Sequence, residues 1–238
     1  MQTGFLQDVD AIITQGVVSD EVVNLAWDLG IPVFLVDSDM PDSDRICYMG
    51  KDFREQAELL LDHIEERVDP DTELRIAIQV AESRFTIAQE QIRQIEEVFA
   101  QHPGGVEIVS VSDSKSEEAR ARKEWDAVIQ EHPDINVAIN FAAESAEFCW
   151  EAVNDSGLRD DVLIYGVDDV PVNLELVRAG KVDGIVATSF YQYGYHSVEL
   201  LYDYLVNGNI PPEQEKTDLQ IVDRSNVETY REDEHESR

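Results

Sequence analysis

The sequence predicts an α/β fold in which amphipathic helices cover a mainly parallel sheet. Three observations predict it. Short β-branched runs recur along the chain, stretches of helical periodicity separate them, and glycine or proline punctuates the passages between the two. That alternation is the pattern of βαβ crossovers.

Taken in order, strands are expected near Asp10–Thr14, Pro32–Val36, Leu74–Val80, Val106–Val111, Asn136–Asn140, Val162–Tyr165, Gly184–Thr188 and Leu219–Val222. Helices fall between them. Phe53 to Val68 places Ala57, Leu60, Leu61 and Ile64 on one face, and Tyr191 to Val206 does the same with Val198, Leu201, Tyr202 and Leu205, so both faces are expected to cover the sheet. Gly30-Ile-Pro32, His102-Pro-Gly-Gly105 and His132-Pro133 lie between a helix and the next strand, where Gly ends helices and Pro resists their continuation. No internal repeat or low-complexity linker interrupts the chain before the charged residues 231–238, which read as a disordered acidic tail.

Composition narrows the function. Of 238 residues, 18 are Lys or Arg and 51 Asp or Glu, and the formal charge of −33 repels nucleic-acid phosphates and anionic lipid alike. No apolar run is long enough to span a bilayer, and Met1–Asp10 lacks the basic and apolar regions of a secretory signal. Cys47 and Cys149 have no metal-ligand spacing and read as small buried residues, with a bridge between them left open. Trp27, Trp125 and Trp150 fall within helices and read as core or surface anchors.

The motifs of common catalytic chemistry are absent. No phosphate-cradling glycine loop follows a strand, no nucleophile elbow occurs, and His63, His102, His132, His196 and His235 fall on helices, helix ends and the tail. The acidic run Asp37–Asp44 fails as a calcium loop, because its sixth position is Asp42 where Gly is needed and its twelfth is Tyr48 where a bidentate Glu belongs. It reads as a polar strand-to-helix loop. Asp168-Asp169 follows a strand and reads as a ligand contact before a metal pair. In open parallel sheets small molecules bind beyond the carboxyl ends of strands, and Asp37, Glu82, Asn140, Asp168 and Thr188 are expected there.

Val9-Asp-Ala-Ile-Ile-Thr-Gln15 with Ala26-Trp-Asp-Leu-Gly-Ile-Pro-Val-Phe-Leu-Val-Asp-Ser38 resembles the first-lobe core of type I periplasmic binding proteins and LacI-type effector domains. Tyr165-Gly-Val-Asp-Asp-Val-Pro171, Val177-Arg-Ala-Gly-Lys-Val-Asp-Gly-Ile-Val-Ala-Thr188 and Tyr191-Gln-Tyr-Gly-Tyr195 are similar to that family's second-lobe run. Leu219 to Tyr230 resembles the ending of sugar-transport receptors, which favours a ribose-receptor-like branch.

The resemblance implies two Rossmann-like lobes with mainly parallel sheets joined by a hinge. Lobe I is expected at 1–50 and 190–217 and lobe II at 51–189 and 218–230, with chain crossings near Gly50, Ser189 and Thr217. It also implies an extracytoplasmic receptor, without enzymatic activity, cofactor or metal, that captures a sugar or other small polar solute in the interlobe cleft for an ABC permease or a membrane sensor. An effector domain of a LacI-type regulator is the alternative, although no helix-turn-helix precedes these residues.

Carried over residue by residue, Asp37 and Asp168 match aspartates that accept hydrogen bonds from sugar hydroxyls. Ser38 and Gln91 stand where the family often has arginine, Ala142-Ala143 where it has an asparagine-aspartate pair with Asn140 close by, and Thr188 where it has glutamine. The expected ligand set is therefore Asp37, Ser38, Gln91, Asn140, Asp168 and Thr188. Phe85, Phe141, Phe190 and Tyr191 lie near strand ends, where an aromatic face can stack on a sugar or pack in the core. The resemblance begins at the end of the family's second helix, so lobe I is expected to lack two βα units. Asp10–Thr14 would then have a free side and the cleft would lack part of its wall, so weak ligand binding and self-association are expected.

Overall fold

Residues 8–230 are described in the computed structural model of the chain, and the acidic tail at 231–238 lies outside them. The elements are β1 (Ile12–Gln15), α1 (Asp20–Asp28), β2 (Val33–Val36), β3 (Cys47–Gly50), α2 (Phe53–Glu65), β4 (Leu74–Val80), α3 (Thr86–Phe99) and β5 (Val106–Asp113). They continue with α4 (Glu118–Glu131), β6 (Val137–Asn140), α5 (Ser145–Asp155), β7 (Leu163–Val167), α6 (Pro171–Arg178), β8 (Gly184–Thr188), α7 (Phe190–Asn207), β9 (Gln214–Lys216) and β10 (Leu219–Val222). Among the described residues no helix is long and apolar enough to cross a membrane.

The chain divides into two units. Among the described residues the first takes those up to Asp52 together with Ser189–Asp218, and the second takes Phe53–Thr188 and those from Leu219 to Tyr230.

In the second unit the strand order is β10-β8-β7-β6-β4-β5. All pairs are parallel except β10 with β8. Helices on both faces bury the strands from both sides, and two apolar clusters result. One gathers Trp125, Ile129, Ile164 and Ile185 on one face. The other gathers Leu60, Ile64, Ile76, Ile78, Ile95 and Phe99. The face of α2 expected to cover the sheet does so, with Ala57, Leu60, Leu61 and Ile64 all buried. Burial of a leucine or isoleucine side chain contributes about 1.5–3 kcal/mol, which fixes α2 on the sheet.

The first unit has the order β1-β2-β3-β9, all parallel. Val23 and Ala26 of α1 pack with Val33 and Leu35 of β2 and with Tyr48 of β3. One side of β1 pairs with no strand among the described residues, as expected from the sequence.

Two expectations are corrected. Strands β3 and β9 were not foreseen, so residues 37–46 link two parallel strands and are not a strand-to-helix loop. Second, the face of α7 carrying Val198, Tyr202 and Leu205 is exposed, and the side chains that α7 buries are Tyr193 and Ser197. Both faces of α7 carry apolar groups, so periodicity alone does not choose between them. The small Ser197 side chain folds back onto the carbonyls of Tyr193 and Gly194, which makes that face the one able to sit close to β2 and β3. Cys47 and Cys149 are buried, as the sequence reading expects, and both thiols are free, which answers the question of a bridge that the sequence leaves open.

Candidate functional site

Two aspartates stand in matching positions, one in each unit. Asp37 is the first residue after β2 and Asp168 the first after β7, and both hold the left-handed conformation, with φ of 64° and 66°. That region costs an L-residue about 1–2 kcal/mol, and Asp tolerates it because its short side chain bonds locally. In each case the amide is bonded across to the next strand, Asp37 N to Met49 O at 2.9 Å and Asp168 N to Val186 O at 3.0 Å. The same frame thus turns a carboxylate out at the carboxyl end of a parallel strand twice.

In the first unit Gln15, the last residue of β1, donates from Nε2 to Asp37 Oδ2 at 2.8 Å. Lys51 Nζ lies 3.4 Å from Asp37 Oδ1, which has no hydrogen-bond partner. Tyr48 donates its hydroxyl to the Asp37 carbonyl at 2.9 Å, and burial, with Tyr193 and Asp37 nearby, pushes that phenol far above its usual range, so it remains a donor. Ser38 is buried, its Oγ donating to Gly16 O while Gly16 N donates to Ser38 O at 2.9 Å. This reciprocal pair clamps the loops after β1 and β2 and requires glycine, since a Cβ at Gly16 would lie 2.2 Å from Ser38 O.

In the second unit Asn140 and Thr188 are the last residues of β6 and β8 and Asp168 is the first after β7 between them, so three expected site residues lie at adjacent strand ends. Their exposures differ. Asp168 is partly exposed, Thr188 is buried, and Asn140 is fully buried. Asn140 donates to Tyr165 O at 2.9 Å and accepts from the Trp125 indole at 3.0 Å and from Ser145 Oγ at 2.6 Å. Gln91 is placed apart from the strand ends. It is buried on α3 and donates to Gln56 of α2 at 3.1 Å.

Glu82, just beyond β4, belongs to an ion cluster in which Lys115 donates to Glu82 and Asp113 and Arg84 lies 3.5 Å from Glu82. Burial acts to raise the Asp113 carboxyl, but hydrogen bonds from Lys115 and Ser83 outweigh it and hold it below the usual range. Phe141 is buried and Phe85 half-buried, whereas Phe190 and Tyr191 are exposed at the start of α7. Trp125 is a core residue, Trp27 is at the surface, and Trp150 packs under Lys181 Nζ at 4.1 Å.

Sequence reasoning missed Asn173. It is buried in the first turn of α6, and its Nδ2 donates to Val167 O at 2.8 Å, Ala143 O at 3.1 Å and Asp168 O at 3.3 Å. One amide therefore ties the loop after β6 to the turn that carries Asp168. Tyr230 completes the bracing by donating its hydroxyl to Asp169. An asparagine two residues after Pro171 at a helix start was the available signal.

The family described as periplasmic binding protein domain matches residues 1–209. Solved structures of the same fold include GanP, a glucose-galactose binding protein from Geobacillus stearothermophilus, at 24% identity and TM-score 0.86, covering 94% of this chain and 80% of that one. The fructose-binding periplasmic domain of a hybrid two-component system is 21% identical with TM-score 0.85, over 96% of this chain and 76% of that one. An ABC transporter solute-binding protein from Bacillus halodurans with bound myo-inositol is 22% identical with TM-score 0.84, over 96% and 79%. No curated protein sequence matches at a significant level.

Proposed function

This chain belongs to the periplasmic binding protein domain family, and on that premise we propose that it is an extracytoplasmic receptor that holds a sugar without transforming it. The observation that carries the reading is the repeated frame of Asp37 and Asp168, each a left-handed aspartate at the carboxyl end of a parallel strand. A carboxylate supplies acceptors only, and a sugar presents a dense set of hydroxyl donors, so the two are complementary. Each charge-assisted bond contributes about 1.5–3 kcal/mol. Gln15 and Lys51 orient the Asp37 carboxylate, and Asn173 holds the backbone under Asp168.

The relatives in glucose-galactose, fructose and myo-inositol binding support a polyhydroxylated solute. The two units are read as the family's lobes, with hinge motion at the three chain passages near Gly50, Ser189 and Thr217, and delivery to an ABC permease or a membrane sensor. The buried Ser38, Asn140 and Thr188 are read as the floor beneath the ligand, and Gln91 as bracing between helices.

Calorimetry of a folded Asp168→Asn chain tests the reading. The affinity for the sugar that binds best should fall by about tenfold or more, the equivalent of one charge-assisted bond. An unchanged affinity would remove Asp168 from the site.

A further inference from the structure

Asp168 and Asp169 are adjacent carboxylates with different surroundings. Asp168 is partly exposed at the carboxyl end of β7, whereas Asp169 is buried. A buried carboxylate is costly unless a donor meets it, and the donor here is the hydroxyl of Tyr230, 61 residues further along the chain.

The segment that carries Tyr230 is anchored before it arrives. Strand β10 pairs antiparallel with β8, and Asp223 just beyond it accepts from Arg67 at 2.9 Å and meets Nε2 of His63 at 3.0 Å. Because a carboxylate only accepts, Nε2 is the donor in the neutral ring, which leaves Nδ1 to accept from the Tyr165 hydroxyl at 2.9 Å. Asn226 then closes the turn. It accepts from Asp223 N at 2.9 Å, donates to Ile221 O at 3.0 Å and takes Tyr230 N on its carbonyl at 2.9 Å. Val227 is buried, and Tyr230 packs against the same apolar cluster.

These contacts make residues 223–230 a strap that grips β7 at two places. Tyr165, in the middle of the strand, is reached through His63, and Asp169, two residues past its end, is reached by the Tyr230 hydroxyl. Asp168 lies between the two grips with a φ of 66°, a conformation that persists only where its surroundings enforce it. Asn173 fixes the carbonyls of this turn, and Tyr230 fixes its second carboxylate. Without the hydroxyl, Asp169 gains by turning outward to water, and the turn moves with it.

We propose that Tyr230 is a positioning residue for solute binding: by holding Asp169 inward it leaves Asp168 as the carboxylate of the pair that meets the solute. This role rests on the sugar-receptor reading of Asp168, and Tyr230 acts through that residue without touching the solute.

The test is a double-mutant cycle on the full chain, titrated in a calorimeter with D-glucose, D-galactose, D-fructose and myo-inositol. For the probe that the parent binds, Tyr230→Phe keeps the ring and should weaken binding by about fivefold or more, while in an Asp168→Asn background the same change should cost less than about twofold. Hydrogen exchange gives a readout without solute. The Asp168 amide, bonded to Val186 O at 3.0 Å, should exchange about fivefold or more faster in Tyr230→Phe. Equal losses in both backgrounds would make Tyr230 a general support of the second unit and overturn the proposal, as would parent-like affinity or a parent-like exchange rate in Tyr230→Phe. A parent that takes up none of the four probes overturns the sugar reading itself and this role with it.

Discussion

Replacing Asn173 by Ala removes one buried amide that serves three carbonyls, at 2.8, 3.1 and 3.3 Å. An NH2 group has two hydrogens, so the loss amounts to two hydrogen bonds of about 1 kcal/mol each, with a further 1–3 kcal/mol for any carbonyl left dry. Alanine returns about 0.5 kcal/mol through better helix propensity. The net expectation is a loss of about 1.5 kcal/mol if water reaches the carbonyls and about 2.5–4.5 kcal/mol if one is left dry, or roughly 0.8–2.2 M in urea midpoint at a slope of about 2 kcal/mol/M. Trp125 is fully buried in the same unit, so its fluorescence during urea unfolding follows this region. Asn173→Asp, an isosteric acceptor aimed at three acceptors, should be less stable still. A midpoint shift equivalent to under about 0.5 kcal/mol for Asn173→Ala, or an Asp variant as stable as the parent, would refute the assigned role.

Two further outcomes follow from the same geometry. Burial acts to raise the Asp223 carboxyl, but hydrogen bonds from Ser225 and His63 outweigh it and hold it at about 2, while burial holds His63 below its usual range despite its contact with Asp223. Both folded values are depressed, so the stability they contribute is present above the unfolded values and lost on acidification. His63 acts first, as pH falls below about 6.5, and Asp223 between about 4 and 2, where urea titrations should show about 2 kcal/mol lost in the parent and much less in Asp223→Asn. Gly16→Ala places a Cβ 2.2 Å from Ser38 O and should break the clamp between the loops after β1 and β2, lowering sugar affinity by about tenfold or more in calorimetry. A Gly16→Ala chain with parent affinity would remove the clamp from the account.

The larger sheet was legible because its strands are buried on both faces. Ile76, Ile78 and Val80 are at most 1% exposed, and strands in that setting read as continuous apolar runs. By contrast, β3 is Cys-Tyr-Met-Gly with no β-branched residue, and β9 is Gln-Glu-Lys with every residue exposed. Each is a strand through its pairing partner, and pairing is not written in local composition. The site shows the same division. Asp37 and Asp168 could be found because each follows a recognisable strand. Gln15, Lys51 and Asn173 support them from other elements, across distances that only the fold sets.

The central claim is that this chain holds a sugar, and calorimetric titration of D-glucose, D-galactose, D-fructose and myo-inositol into the folded chain tests it most directly. The account predicts saturable one-to-one binding of at least one of them, with a dissociation constant of about 0.1 mM or tighter, about −5.5 kcal/mol, and weakening in both Asp37→Asn and Asp168→Asn. No saturable heat from any of the four up to about millimolar concentration, from a chain with a cooperative melt, would contradict it.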